Sequence, residues 1–192
     1  MTDATDPRPD ARPDARFADA DPDQPLALRA ADTDDLAVLS ALAQDAVLTV
    51  GDIVWDRKCR HFALLLNRFR WEDADAARAE RRPFERVRTI LAIGDVTAVR
   101  HDGIDRSDPG LVLSLLDLEW RPGEVGTGTL ILQFAGDGAV AVDVEAMCVD
   151  LRDVARPHRA QAAARPGAQI ARRLDGGAHV VGELLVGPVA AA

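Results

Sequence analysis

The side chains of this sequence that could do chemistry fall into two groups, four arginines and four carboxylates. The stretch HFALLLNRFRWED, His61–Asp73, sets Arg68 and Arg70 between Phe69 and Trp71, and FERVR at 84–88 adds Arg86 and Arg88. Arginine offers a planar fork of donors that meets two carboxylate or phosphate oxygens at once. Interleaved with aromatics, it is also what a nucleic-acid-binding strand carries. The carboxylates are Asp117 and Glu119 in LVLSLLDLEW, and Asp143 and Glu145 in AVAVDVEA. Carboxylates that converge can do general acid–base work.

Each group has a plainer reading. Glu72, Asp73, Asp75, Glu80 and Glu85 lie close to the arginines in sequence and could neutralise them. The acids could be the solvated face of an antiparallel sheet, which commonly wets one side. Strand alternation decides part of this. Phe62, Leu64, Leu66, Arg68 and Arg70 share one face, and the aromatics Phe69 and Trp71 share the other. The arginines therefore extend the leucine face outward and do not sit beside the rings, which weakens the base-stacking reading. A hairpin around residues 72–83 would bring Arg68 and Arg70 to Arg86 and Arg88. The expectation is one surface cluster that takes an anion or an acidic partner.

Other chemistry is missing its signature. No GxxxxGK[ST] phosphate loop occurs, and GTGT at 126–129 is not GxGxxG and precedes a strand. Ser40, Ser107 and Ser114 are the only serines, and none sits in GxSxG. Cys59 and His61 share a strand face, but two ligands fall short of the three or four that zinc needs. DADPD at 19–23 starts like a calcium loop, yet Gln24 and Ala30 occupy the positions that need glycine and an acid. No metal and no cofactor is expected.

The elements that must position these residues read as follows. LALRA, 26–30, is a short strand. ADTDDLAVLSALAQDAV is a helix, with Asp32 or Thr33 as its cap, Asp34 and Asp35 in its first turn, and Leu36, Leu39, Leu42, Ala43 and Ala46 along one side. Then strands dominate: 48–55 and 60–71 as a hairpin, 84–101 as a long bent strand with Gly94 as a bulge, 111–120, and 129–134 joined to 139–151 by the turn AGDG. The connection EDADAARAERRP, 72–83, has room for a helical turn. Leu39, Leu64, Leu66, Leu132 and Phe134 are the expected core.

The whole chain has 192 residues and a formal net charge of -9, with 47% hydrophobic and 29% charged residues. That is one domain with a real core. An acidic chain repels nucleic acid and anionic membrane at long range. Twenty-two of its 23 basic residues are arginine, Lys58 being the exception, a bias of GC-rich bacterial genomes. Two cysteines make no disulfide framework, and no stretch resembles a signal peptide or a membrane span, so a cytoplasmic setting is expected. Residues 1–25, rich in Asp, Pro, Ala and Arg, read as a disordered head; 26–155 as the globular domain; and 156–192 as an Ala/Arg/Gly-rich tail. The tail contains the apolar HVVGELLVG, 179–187, which could add a strand.

LALRAADTDDLAVLSALAQDAVLTVGDI, RHFALLLNRFRWE, HDGID and LQFAGDGAVAVDVEAMCVDLRDV together resemble a small bacterial family known as domain of unknown function 2948, over roughly residues 26–154. The LLLNRF strand and the closing DLRDV weigh most. The resemblance implies one compact cytoplasmic domain and carries over no catalytic residue. The expected class is α+β: a curved antiparallel sheet or partly closed barrel of about seven meander strands with one N-terminal helix. The favoured function is a non-enzymatic binding or interaction module, its partner a protein or a small anion, without membrane or nucleic acid. The alternatives are an enzyme using the acidic face and, third, an RNA binder using the arginines.

Overall fold

The structure is a computed structural model and describes residues 25–160. The expected head at 1–25, except Pro25, and the apolar 179–187 lie outside the described residues. The first strand, β1 (Ala27–Ala30), leads into α1 (Thr33–Ala43). Asp32 caps that helix, its carboxylate accepting from the backbone N–H groups of Asp34 at 3.0 Å and Asp35 at 2.9 Å. Two donors that the helix cannot satisfy itself are thereby paired. Leu36, Leu39, Leu42 and Ala43 form its buried side.

Ten strands follow or flank the second helix: β2 (Val47–Thr49), β3 (Ile53–Asp56), β4 (His61–Phe69), β5 (Glu85–Ile93), β6 (Val96–Asp102), β7 (Val112–Pro122), β8 (Gly128–Phe134), β9 (Ala139–Val144), β10 (Val149–Asp153) and β11 (His158–Arg159). They form one antiparallel sheet in the order β1-β10-β5-β4-β2-β7-β8-β9-β6, with β3 on β4 and β11 on β5. The pairing path is open, so the sheet is not a closed barrel. Consecutive strands run as neighbours in β3-β4-β5 and in β7-β8-β9; β2 sits between β4 and β7, and β10 between β1 and β5, by long-range pairing.

The count of eleven strands corrects the expected seven, and the breaks have local causes. The span 84–101 divides at Gly94-Asp95, where Asp95 has φ 55°. The span 139–151 divides between β9 and β10, and 48–55 is interrupted by a 3-10 turn at Val50–Asp52. A second helix, α2 (Ala74–Ala79), occupies the 72–83 connection. Within the stretch read as tail, β11 pairs with the start of β5.

The core lies between α1 and the inner face of the sheet. Leu39, Leu64, Leu66, Leu132 and Phe134 are all buried, as expected from their alternation. Helix α1 packs on β7, β1 and β4. Ser40 ties it to β7: its hydroxyl donates to Asp117 Oδ1 at 2.6 Å and accepts from the Leu118 N–H at 3.0 Å. Among the described residues no helix is long and apolar enough to cross a membrane.

Candidate functional site

The β4–β5 register splits the four arginines. Arg68 lies opposite Val87, while Arg86 lies opposite Phe69 and Arg88 opposite Asn67. Residues opposite each other share a face. Arg68 is therefore on the inner face with the leucines, and Arg86 and Arg88 are on the outer face. The single surface cluster expected from sequence does not form.

Arg68 is wholly buried, not exposed. Its guanidinium donates to both oxygens of Glu72 at 2.9 Å, and to Asp153 at 3.0 and 2.8 Å. Thr89 completes the arrangement, accepting from Arg68 Nε at 3.1 Å and donating to Asp153 at 2.6 Å. Asp153 also accepts from the Leu26 N–H at 3.1 Å. Burial works against the Arg68 charge, but the bonds from Glu72 and Asp153 outweigh it and raise its pKa. The network joins β4, the turn after it, β5, β10 and the start of β1. Asp153 and Thr89 were not among the residues singled out from the sequence. The available signal was that DLRDV, which contains Asp153, and LLLNRF, which contains Arg68, are the two stretches that weighed most in the resemblance.

Most of the remaining arginines near this end meet the acids beside them in sequence. Arg70 is nearly buried and donates to Glu85 at 2.6 Å, with Glu72 at 3.5 Å. Arg82 is clamped on Asp73 and also binds Glu80 at 2.8 Å, and Arg78 binds Asp75 at 3.2 Å. An open groove of about 1030 Å³ runs past Arg70, Asp73, Arg82, Glu85, Asp153 and Arg156. Five of those six charges already have partners in the ion pairs just described, so the groove offers little free charge.

Arg86 is different. Its donors reach backbone carbonyls, Asn67 at 2.8 Å and Asp45 at 3.5 Å, and no carboxylate lies within ion-pair distance among the described residues. Burial lowers its pKa, and the neighbouring Asp45 carboxylate offsets part of that cost. Asp45 stands in the left-handed region at φ 59°. Burial raises its pKa, against the pull of Arg86. Asp45 Oδ2 and Asn67 Oδ1 are buried without a hydrogen-bond partner. Arg88 is half-exposed and meets only Asp52, at 3.8 Å.

The four acids do not converge. Asp117 lies opposite Gln133, and Asp143 opposite Thr129, on the outer face of β7-β8-β9. Each has a separate partner: Asp117 holds Ser40; Glu119 accepts from Arg121 at 2.9 Å and Gln133 at 3.0 Å; Asp143 accepts from Arg100 and Thr129, both at 2.7 Å; and Glu145, beyond the end of β9, pairs with Arg60 at 2.8 Å. In place of a converging set, the face carries acids each held by its own partner. Cys59 and His61 are exposed, and among the described residues no group of three or more His, Cys, Asp and Glu could hold a metal ion.

No curated protein and no solved structure matches this chain. Residues 26–167, most of its length, match a family described as protein of unknown function (DUF2948). The fit spans the sheet, α1 and both ends of the Arg68 network, and the chain belongs to that family.

Proposed function

We propose that this domain is a binding module that takes an anionic group, on a small molecule or on an acidic partner protein, at Arg86 and Arg88. The observation that supports the reading is the state of Arg86: a half-buried guanidinium whose bonds end on carbonyl oxygens, beside a second arginine held only loosely. A charge desolvated without an ion partner is costly, and a bound carboxylate or phosphate relieves that cost. Arg68 and Arg70, by contrast, are already saturated by carboxylates.

A melting series tests this. Phosphate, sulfate and nucleotides are titrated into the wild-type chain and into the Arg86→Ala, Arg88→Ala double variant. The expected result is a rise in Tm that grows with free ligand as mass action requires and is absent from the variant. An identical response of the two chains, or none, overturns the reading. Tight binding of short RNA with a steep loss on adding salt would instead restore the nucleic-acid reading.

A further inference from the structure

The outer face beside those arginines is apolar, and no other part of the described residues covers it. Registers place Val54 opposite Ala63 and Ala63 opposite Ala92; one pair along, Leu65 lies opposite Ile90. Val54 is 60% exposed and Ile90 38%. Leu65, Ala63 and Ala92 are half-buried. The same face carries Arg88, two residues before Ile90, and Arg152, which stands opposite Ile90 on β10. Arg152 is exposed and has no ion pair among the described residues. An aliphatic strip thus ends beside two incompletely paired arginines, Arg88 and Arg152, while Asp150, opposite Ala92 on the same face, is taken up by Arg29 at 2.9 Å, in a protein whose net charge is -9. Scattered surface apolar side chains are ordinary, but a contiguous strip with a charged rim is how binding surfaces are built.

We infer that this face docks an acidic amphipathic segment of another protein. The aliphatic side chains of that segment cover Val54, Leu65 and Ile90, and its Asp or Glu side chains meet Arg86, Arg88 and Arg152. Charge complementarity carries the choice of partner: the local rim is cationic, and arginine forks pair best with carboxylates. The apolar strip selects against free small anions and fully polar acidic tails, which leave it wet. The inference rests on the arginine site proposed above, and extends it to a partner class.

Selection of a displayed library of random peptides on the full chain tests it, followed by binding titrations of the selected peptides. The expected consensus sets Asp or Glu next to Leu, Ile, Val or Phe. Binding of such peptides should fall about tenfold or more in Ile90→Asp, and likewise in Arg88→Glu with Arg152→Glu, the scale of losing one interface anchor. Both apolar positions are exposed, so Ile90→Asp and Val54→Asp leave the fold intact, and unchanged melts confirm it. The two apolar variants, unlike Arg88→Glu, leave both Arg86 and Arg88 in place and so keep the small-anion response, and the two readings fail separately. No enrichment, a basic consensus, or peptides indifferent to both sets of variants overturns the inference. So does displacement of the peptides by short RNA, or a concentration-dependent dimer that Ile90→Asp abolishes.

Discussion

At the scale of single residues, the decisive feature is a cation where a leucine would fit. Arg68 continues the inner row Phe62, Leu64, Leu66, and is kept charged there by two carboxylates. A buried ion pair adds little over well-packed apolar side chains, but removing one partner strands the others. Arg68→Met therefore leaves Asp153 buried without its cation, and Glu72 with only the 3.5 Å contact to Arg70. The expected loss is about 3–5 kcal/mol in denaturant melts. Arg68→Lys should recover little of it, because a lysine cannot face two carboxylates bidentately. Asp45 supplies a pH-dependent counterpart. Its folded pKa lies above the ordinary 3.8, so the folded state holds the proton more tightly than the unfolded chain does. Ionised Asp45 thus costs stability above its raised folded pKa, and the cost fades as pH falls through that pKa and is gone below the ordinary value. Asparagine tolerates the left-handed backbone and carries no charge. Asp45→Asn should raise Tm at neutral pH, and the gap to wild type should close on acidification.

At the scale of elements, alternation and capping did most of what the sequence promised. The helix at Thr33–Ala43 begins at its Asp32 cap, and Phe134 of β8 sits where period two puts it, 2% exposed. Phe134→Ala should cost about 3–5 kcal/mol, read as a lower denaturant midpoint at unchanged slope. A loss near zero would mean that the ring packs on nothing. Close approach explains one glycine: a Cβ at Gly128 would run into the Trp120 indole, which lies across the adjacent strand. The element boundaries were less legible. Breaks at Gly94-Asp95 and between β9 and β10 keep the apolar pattern on both sides, so periodicity reads through them. The helix α2 was open to either reading, because the only apolar side chains of EDADAARAERRP before its proline are alanines, too small to mark a stripe, although Ala74 and Ala77 are buried.

At the scale of the whole molecule, the two ends of the described chain are held at the same place. Asp153 joins Leu26 to Arg68, while Ala160 donates to the Phe84 carbonyl at 2.8 Å after β11 has paired with Arg86 and Glu85. A chain of residues 25–160 should melt cooperatively near the temperature of the full chain. One ended at residue 155 should melt lower, because it lacks β11 and bares the strand edge at Glu85 and Arg86 of β5. Equal melting of the two fragments would show that β11 contributes nothing.

From the sequence alone came the family, the α+β class, the capped helix, the burial of Leu39, Leu64, Leu66, Leu132 and Phe134, and which residues within one strand share a face. These follow from local rules of spacing, because an alternating strand shows its faces wherever it is placed. Tertiary pairing decided the rest. Whether Arg68 meets Arg86 or Val87 depends on the register of two strands that alternation leaves free by one residue, and such a slip exchanges the two faces. That register sends Arg68 inward to Glu72 and Asp153, and leaves Arg86 and Arg88 outside. The meeting of Arg68 with Asp153, 85 positions along the chain, likewise needed the long-range insertion of β10 beside β5. No local pattern encodes that contact, since it exists only once the sheet has brought the two strands together.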